Sequence, residues 1–181
     1  MAISSLMVEI GTPAPDFALP DLSSGIVRRD DFVAAPALLV AFLCNHCPYV
    51  KHVEVELGRL VAGYPQLAVA GICTNDAEAY PDDAPAGLAA QVERAGWTFP
   101  YLVDADQAVG RAYQAACTPD FFLYDAQRRL AYRGALDSST PGNGEPVTGA
   151  LLRAAIDAVL AGEAVPEPHR PSLGCSLKWR S

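Results

Sequence analysis

The feature that most constrains the fold is a pair of cysteines at the junction between two hydrophobic patterns. Residues 37–43 are continuously apolar, which is typical of a strand buried on both faces. After Cys44 and Cys47, apolar side chains recur at helical spacing through residues 50–61, and Gly63 marks the predicted end of that helix. The sequence therefore predicts a strand, a Cys-x-x-Cys turn and a helix in direct succession.

The other hydrophobic patterns place further strands and helices around this junction. In chain order they predict a hairpin within residues 12–32, a strand at 67–73, a helix at 84–95, a helix after the capping-box pair Asp104 and Gln107, strands at 121–124 and 130–133, and a helix at 148–160. Buried strands with crossover helices, followed by a hairpin and a last helix, are typical of a three-layer α/β/α domain. We expect one domain over residues 1–181, with a hairpin extension (1–35), a core (36–162) and a tail (163–181) that forms a surface arm.

Composition and charge exclude several classes of protein. The formal net charge is −8, whereas a nucleic-acid-binding protein needs a basic surface, so no nucleic-acid partner is expected. The longest charge-free apolar stretch, residues 32–45, is shorter than the roughly 18 residues of a membrane span, and the N-terminus does not resemble a signal peptide. We therefore expect a cytoplasmic protein without a membrane partner. In that compartment, five cysteines indicate catalysis or metal binding rather than a disulfide scaffold.

The Cys-x-x-Cys motif suits dithiol chemistry. Two intervening residues, Asn45 and His46, allow the cysteine side chains to bridge, and a helix N-terminus favours a thiolate. In such motifs the first cysteine, Cys44, is normally the exposed nucleophile, and Cys47, deeper on the helix, resolves the mixed disulfide. The imidazole of His46 favours the thiolate further.

The alternative to redox chemistry is a metal site. Zinc prefers four ligands, and the sequence has no second Cys-x-x-Cys or Cys-x-x-His pair. A copper or zinc site would need Cys44, Cys47 and His46, with Cys117 as a further candidate. Asn75 and Asp76, after a predicted strand, are interpreted as capping and turn residues, and roles for the other cysteines (Cys73, Cys117 and Cys175) stay open.

Several stretches of the chain carry a family resemblance. They are residues 11–17 (GTPAPDF), 42–51 (FLCNHCPYVK), 75–76 with 80–83, 118–125 (TPDFFLYD) and 171–179 (PSLGCSLKW). The chain resembles the thioredoxin superfamily, in its redoxin or peroxiredoxin-like branch (the alkyl-hydroperoxide-reductase/thiol-specific-antioxidant type). The resemblance implies a thioredoxin-like fold in which Thr118–Pro119 is a cis peptide packed beside the cysteine pair. It also implies that the Thr118 backbone is free to pair with a substrate strand.

Two departures from the family pattern affect the expected activity. Thioredoxins carry a buried carboxylate on the strand before the motif, but the matching position here is Ala41 or Leu38, depending on the alignment. Peroxiredoxins place a Thr or Ser and an Arg around the peroxidatic cysteine, and those positions are occupied here by Cys44 and approximately Pro119. The peroxide-binding groups are therefore absent from the pattern.

The resemblance and the motif together predict a thiol–disulfide oxidoreductase. The Cys44–Cys47 dithiol exchanges electrons with a protein or small-molecule disulfide, and a thioredoxin or glutathione system supplies electrons. No organic cofactor is expected. The predicted site residues are Cys44, Asn45, His46, Cys47, Thr118 and Pro119. A thiol peroxidase and a metal-binding thioredoxin-fold module are the alternatives.

Overall fold

A computed structural model describes residues 2–180. Within that range the strands are β1 (Ala2–Ser4), β2 (Ala18–Pro20), β3 (Ile26–Arg28), β4 (Ala37–Phe42), β5 (Leu67–Cys73), β6 (Tyr101–Val103), β7 (Cys117–Thr118), β8 (Asp120–Tyr124), β9 (Leu130–Gly134) and β10 (Leu173–Ser176). The helices are α1 (Pro48–Ala62), α2 (Pro85–Ala95), α3 (Ala108–Ala112) and α4 (Ala150–Leu160). None of the described helices is long and apolar enough to cross a membrane.

The central sheet has the strand order β6-β5-β4-β8-β9. Strands β4, β5 and β6 are parallel, and β8 and β9 are antiparallel to their neighbours. All six residues of β4 are fully buried because β4 lies at the centre of the sheet with a core on each side. Leu39 and Ala41 pack with α1, α2 and α4, whereas Leu38 and Phe42 pack on the opposite face. The predicted three-layer α/β/α arrangement is confirmed.

The second face of the sheet is covered by α3 and by the N-terminal residues. The hairpin β2–β3 forms as predicted, with the Asp21 carboxylate accepting the backbone N–H groups of Ser23 and Gly25 in its turn. Phe17 and Leu19 are buried against the same core as α3. The extension therefore completes the third layer of the domain.

The predicted capping box before α3 is only half correct. The Asp104 carboxylate accepts the N–H groups of Val109 and Gly110, as a capping residue does. The Gln107 side chain does not return to Asp104. Its amide instead donates to the carbonyl oxygens of Thr74 and Lys178, because the tail passes close to the end of β5.

The prediction of a surface arm at the C-terminus is wrong for its last part. Strand β10 lies between β1 and β7 in a three-stranded sheet, pairing antiparallel with both. The backbones of β10 and β7 approach closely at Gly174, where a Cβ atom would overlap the Thr118 carbonyl oxygen. This pairing brings the first and last segments of the chain to the same edge as the cysteine motif.

Candidate active site

The two cysteines of the motif lie between β4 and α1. Cys47 is the N-cap of α1, with φ −76° and ψ 124°, and Pro48 occupies the first helical turn, where its missing N–H leaves no helical hydrogen bond unmade. Cys44 comes just after the end of β4. Both cysteines are fully buried, so the expectation of an exposed Cys44 and of a Cys47 deeper on the helix is wrong.

Thr118 contacts both sulfur atoms. Its hydroxyl lies 3.1 Å from Cys44 Sγ, and its carbonyl oxygen lies 3.3 Å from Cys47 Sγ, to which a Cys47 thiol donates. The Thr118–Pro119 peptide is cis, which confirms that prediction. The Thr118 backbone is not free for a substrate strand, however, because Cys175 of β10 pairs with it.

The surroundings shift the pKa values of the two cysteines in opposite directions. A hydrogen bond from the Cys44 thiol lowers the pKa of Cys47 to about 5, against the opposing effect of burial, and the Cys175 thiol and the N–H of Val50 add to the lowering. Conversely, the hydrogen bond with Cys47 and burial raise the pKa of Cys44 well above its ordinary value. Of the two cysteines, Cys47 is therefore the one whose surroundings favour the thiolate.

A third sulfur lies next to Cys47. Cys175 Sγ is 2.7 Å from Cys47 Sγ, although the two residues are 128 positions apart in sequence. Burial, followed by the interaction with Cys47, raises the pKa of Cys175 to about 11. The sequence leaves the role of Cys175 open, although the tail is long enough to reach the motif, and the pairing of β10 with β7 is what brings Cys175 here.

Asp83 is the carboxylate of the site, and sequence reasoning did not single it out. Its Oδ1 accepts the backbone N–H groups of Asn45 and His46 at 2.7 and 3.1 Å. Its Oδ2 lies 2.6 Å from Nδ1 of His46 and 2.9 Å from Nδ2 of Asn75. Burial alone would raise the pKa of Asp83, but these hydrogen bonds outweigh it and lower the pKa below the usual value. The His46 ring also stacks on Tyr80, with ring centroids 4.9 Å apart.

Helix α2 supports the turn from the other side. Asn45 donates to the carbonyl oxygen of Asp82 and accepts a hydrogen bond from Arg94. Gln91, which is fully buried, donates to the Cys44 carbonyl oxygen at 3.0 Å. The 44–47 turn is thus fixed through its backbone as well as its side chains.

One group of side chains in the site could hold a metal ion. The ligand atoms of Cys44, His46 and Asp83 lie within 4.8 Å of one another. Of the ligands predicted for a metal site, Cys44 and His46 are in this group. Cys117 has its Sγ 3.7 Å from the Pro119 carbonyl oxygen, and burial raises its pKa strongly.

Two other features complete the surroundings. Cys73, the remaining thiol, is buried at the end of β5, and burial raises its pKa to about 12, as expected for an inert core thiol. A cavity of about 240 Å³ lies beside Pro119, and its lining includes Tyr49, His52 and Arg170.

Comparison with known proteins points to one family. The model of the AhpC/TSA family matches residues 10–133, and no curated protein matches the chain. A hypothetical protein from Sinorhizobium meliloti 1021 is 48% identical over 98% of each chain, with a TM-score of 0.97. An uncharacterized conserved protein from Geobacillus kaustophilus is also 48% identical, over 99% of this chain and 97% of its own, with a TM-score of 0.96.

A more distant solved structure supports the fold. The thioredoxin domain of a thiol-disulfide oxidoreductase from Bacteroides vulgatus is 17% identical, over 70% of this chain and 89% of its own, with a TM-score of 0.60. At that identity the similarity concerns the fold alone, and it confirms the predicted thioredoxin-like architecture.

Proposed function

Because the chain belongs to the AhpC/TSA family, we propose that it is a thiol–disulfide oxidoreductase in which Cys47 attacks a partner disulfide and Cys44 resolves the product. In the first step the Cys47 thiolate forms a bond to one partner sulfur, and the other partner sulfur leaves as a thiolate. In the second step Cys44 attacks Cys47 Sγ, which releases the second partner thiolate. The partner disulfide gains two electrons, and the Cys44–Cys47 dithiol becomes a disulfide.

The observation that carries this proposal is the position of both motif sulfurs against Thr118 at the start of α1, with the Thr118 hydroxyl 3.1 Å from Cys44 Sγ and the Thr118 carbonyl oxygen 3.3 Å from Cys47 Sγ. A hydrogen bond from Cys44 lowers the pKa of Cys47 to about 5, and the thiolate is the nucleophilic form of cysteine. Once Cys47 is in a mixed disulfide it carries no charge, so the interaction that raises the pKa of Cys44 is weakened. Formation of the mixed disulfide on Cys47 therefore makes deprotonation of Cys44 easier, which favours the second step.

The neighbouring residues have positioning roles in this proposal. The Thr118 hydroxyl lies 3.1 Å from Cys44 Sγ and positions that sulfur, whereas the Thr118 carbonyl oxygen accepts a hydrogen bond from Cys47 only while Cys47 is a thiol. Asp83 orients His46 and the backbone of Asn45, which keeps the turn in the geometry that exchange requires. Pro119 presents no N–H to the sulfurs and lines a cavity of about 240 Å³, which we propose receives part of a partner molecule.

The partners are proposed on chemical grounds. A buried dithiol without an organic cofactor exchanges electrons with other thiols or disulfides, and its reduction needs a donor such as a thioredoxin or glutathione system. The direction of electron flow in the cell depends on the reduction potential of that donor relative to the Cys44–Cys47 pair.

The test uses oxidised glutathione and the full-length chain in a Cys175→Ser background, so that only the motif cysteines react. Cys44→Ser is expected to accumulate a glutathione mixed disulfide on Cys47, and Cys47→Ser is expected to lose disulfide-reductase turnover. Cys73→Ser, which alters a buried thiol outside the motif, serves as the control and keeps its turnover. Full turnover in Cys47→Ser would overturn the assignment of the nucleophile.

A further inference from the structure

We propose that Cys175 is a third redox cysteine, which strand β10 delivers to Cys47 to form a Cys47–Cys175 disulfide within the chain. This inference rests on the proposed function, because it needs a nucleophilic Cys47. It assigns the C-terminal segment an active part in the reaction: Cys175, rather than Cys44, releases the partner from the first mixed disulfide, and Cys44 then forms the motif disulfide.

The sulfur–sulfur distance places Cys175 within reach of this bond. Cys175 Sγ lies 2.7 Å from Cys47 Sγ, whereas a disulfide requires about 2.05 Å, so only a short movement separates contact from bonding. The other two thiols outside the motif have different surroundings. The Sγ atom of Cys117 contacts the Pro119 carbonyl oxygen, and Cys73 lies at the end of β5.

The position of Cys175 is set by backbone pairing on both sides of its strand. It pairs with Ala2 of β1 and with Thr118 of β7. Gly174 allows the second pairing, because any larger residue would overlap the Thr118 carbonyl oxygen. A register shift by one residue would turn the sulfur to the opposite face of the strand.

The segment after β10 is also anchored. The Leu177 N–H donates to the Ala116 carbonyl oxygen, and the Lys178 N–H donates to the Asn75 side chain. The Lys178 carbonyl oxygen in turn accepts from Asp76 and Gln107. The placement of Cys175 therefore does not depend on its contact with Cys47.

The same strand occupies the edge that a partner strand would use. Because β10 pairs with Thr118 and both motif sulfurs are fully buried, β10 must lift before a partner disulfide reaches Cys47. Its return then delivers the Cys175 thiol to the mixed disulfide. Movement of β10 away from Thr118 thus admits the partner, and its return brings Cys175 to the mixed disulfide.

The reaction balances with the partner disulfide as the only oxidant. Cys47 attacks the partner and holds half of it as a mixed disulfide, while the other half leaves as a thiolate. Cys175 then attacks Cys47 Sγ, the Cys47–Cys175 bond forms, the second partner thiolate leaves, and the Cys175 proton passes to it. Finally Cys44 attacks Cys47 Sγ, which restores the Cys175 thiol and leaves the Cys44–Cys47 disulfide.

The protonation of Cys175 fits this sequence. Interaction with the Cys47 sulfur is, after burial, a main cause of its raised pKa, and Lys178 acts in the opposite direction. When Cys47 enters a mixed disulfide, its negative charge is lost and the pKa of Cys175 falls. Formation of the mixed disulfide therefore removes one of the causes that keep Cys175 protonated, while burial continues to raise its pKa.

The experiment compares Cys44→Ser with Cys44→Ser/Cys175→Ser after reaction with oxidised glutathione, by alkylation and peptide mapping. We expect Cys44→Ser to form the Cys47–Cys175 disulfide and to lose its glutathione, and the double variant to retain glutathione on Cys47. If Cys44→Ser keeps glutathione on Cys47 with Cys175 free, the inference is wrong while the proposed function stands. If neither protein accepts glutathione, the proposed function fails, and the inference fails with it.

A second variant tests the strand rather than the sulfur. Gly174→Ala, placed in the Cys44→Ser background, is expected to displace β10 and slow formation of the Cys47–Cys175 disulfide about 100-fold, since small misplacements of reacting groups have effects of that size. Ser176→Ala on the same strand is the matched control and keeps the parent rate. An unchanged rate in a folded Gly174→Ala protein would contradict delivery of Cys175 by β10.

Discussion

The Asp83 carboxylate lies 2.6 Å from Nδ1 of His46 and also accepts the backbone N–H of that residue. The side chain of Asp83 is fully buried, whereas that of His46 is 20% exposed. The carboxylate therefore fixes both the imidazole and the backbone of the turn between the two cysteines. Its negative charge also raises the pKa of Cys44.

The first prediction concerns Asp83→Asn. Removing the charge is expected to lower the pKa of Cys44, and the weakened hydrogen bonds are expected to cost about 1–3 kcal/mol of stability. Thiolate ultraviolet absorbance in a Cys47→Ser background measures the pKa, and thermal unfolding measures the stability. Asp82→Asn is the control, because the turn contacts Asp82 through its backbone carbonyl. A Cys44 pKa identical in both variants would contradict the prediction.

The same carboxylate predicts an acid dependence of stability. The pKa of Asp83 is lower in the folded chain than its ordinary value of 3.8, so its contribution to stability is fully present above that value. It is lost as the pH falls through the lower, folded pKa. Urea unfolding between neutral and strongly acidic pH is expected to show this loss in the parent, and a smaller loss in Asp83→Asn.

The second prediction is that Cys47 titrates with a pKa of about 5. Because the pKa of Cys47 in the folded protein lies below its ordinary value of 9.0, Cys47 stabilises the reduced protein fully above pH 9. This contribution is lost as the pH falls through about 5. Cys44→Ala is expected to raise the pKa of Cys47 by removing the donor, whereas Cys44→Ser keeps a hydroxyl donor and shifts it less. The pKa of Cys47 in each variant is measured from its thiolate absorbance, after subtraction of the absorbance of Cys47→Ser. Equal pKa values in Cys44→Ala and Cys44→Ser would argue against a hydrogen bond from residue 44 to Cys47.

The third prediction concerns the reduction potential of the Cys44–Cys47 pair. Stabilisation of the thiolate favours the reduced form, so we expect a potential above that of thioredoxin, roughly −240 to −150 mV. His46→Ala is expected to lower it. Titration against glutathione buffers in a Cys175→Ser background gives both values. A parent value near −270 mV or lower, or no downward shift in His46→Ala, would contradict this prediction.

The fourth prediction is that hydrogen peroxide is a poor substrate. Cys47 contacts Thr118 and Cys175 through its sulfur, and within residues 2–180 no arginine hydrogen-bonds to it. Stopped-flow oxidation of the reduced protein is expected at the rate of an ordinary low-pKa thiol. A rate several orders of magnitude faster would favour the thiol-peroxidase alternative.

The fifth prediction separates redox use from metal binding. Cys44, His46 and Asp83 supply three ligands, whereas zinc prefers four, and Pro119 adds no side-chain ligand, so we expect the parent purified without oxygen to contain no zinc or iron. Pro119→Ala is expected to fold, lose turnover and bind metal at the group formed by Cys44, His46 and Asp83. Metal analysis with thiol titration measures both. Stoichiometric metal in the parent, with its thiols blocked, would support the metal-binding alternative instead.

The local patterns of the sequence were sufficient for most of the central sheet and its helices. Residues 37–43 and 67–73 were predicted as strands, and β4 and β5 cover Ala37–Phe42 and Leu67–Cys73. These elements are predictable because burial on one or both faces leaves a periodic trace in neighbouring residues. The short strands β6 and β7 left no such trace, and their pairing depends on partners elsewhere in the chain.

By itself, then, the sequence determined the fold class and the presence of a cysteine pair at the start of a helix. Only the tertiary structure decided which of the two sulfurs has the lowered pKa, which carboxylate supports the turn between them and which third thiol lies beside Cys47. Asp83 lies 37 residues from His46, and Cys175 lies 128 residues from Cys47. Hydrogen bonds and burial act through space, so contacts between residues that distant shift pKa values without leaving any pattern in the local sequence.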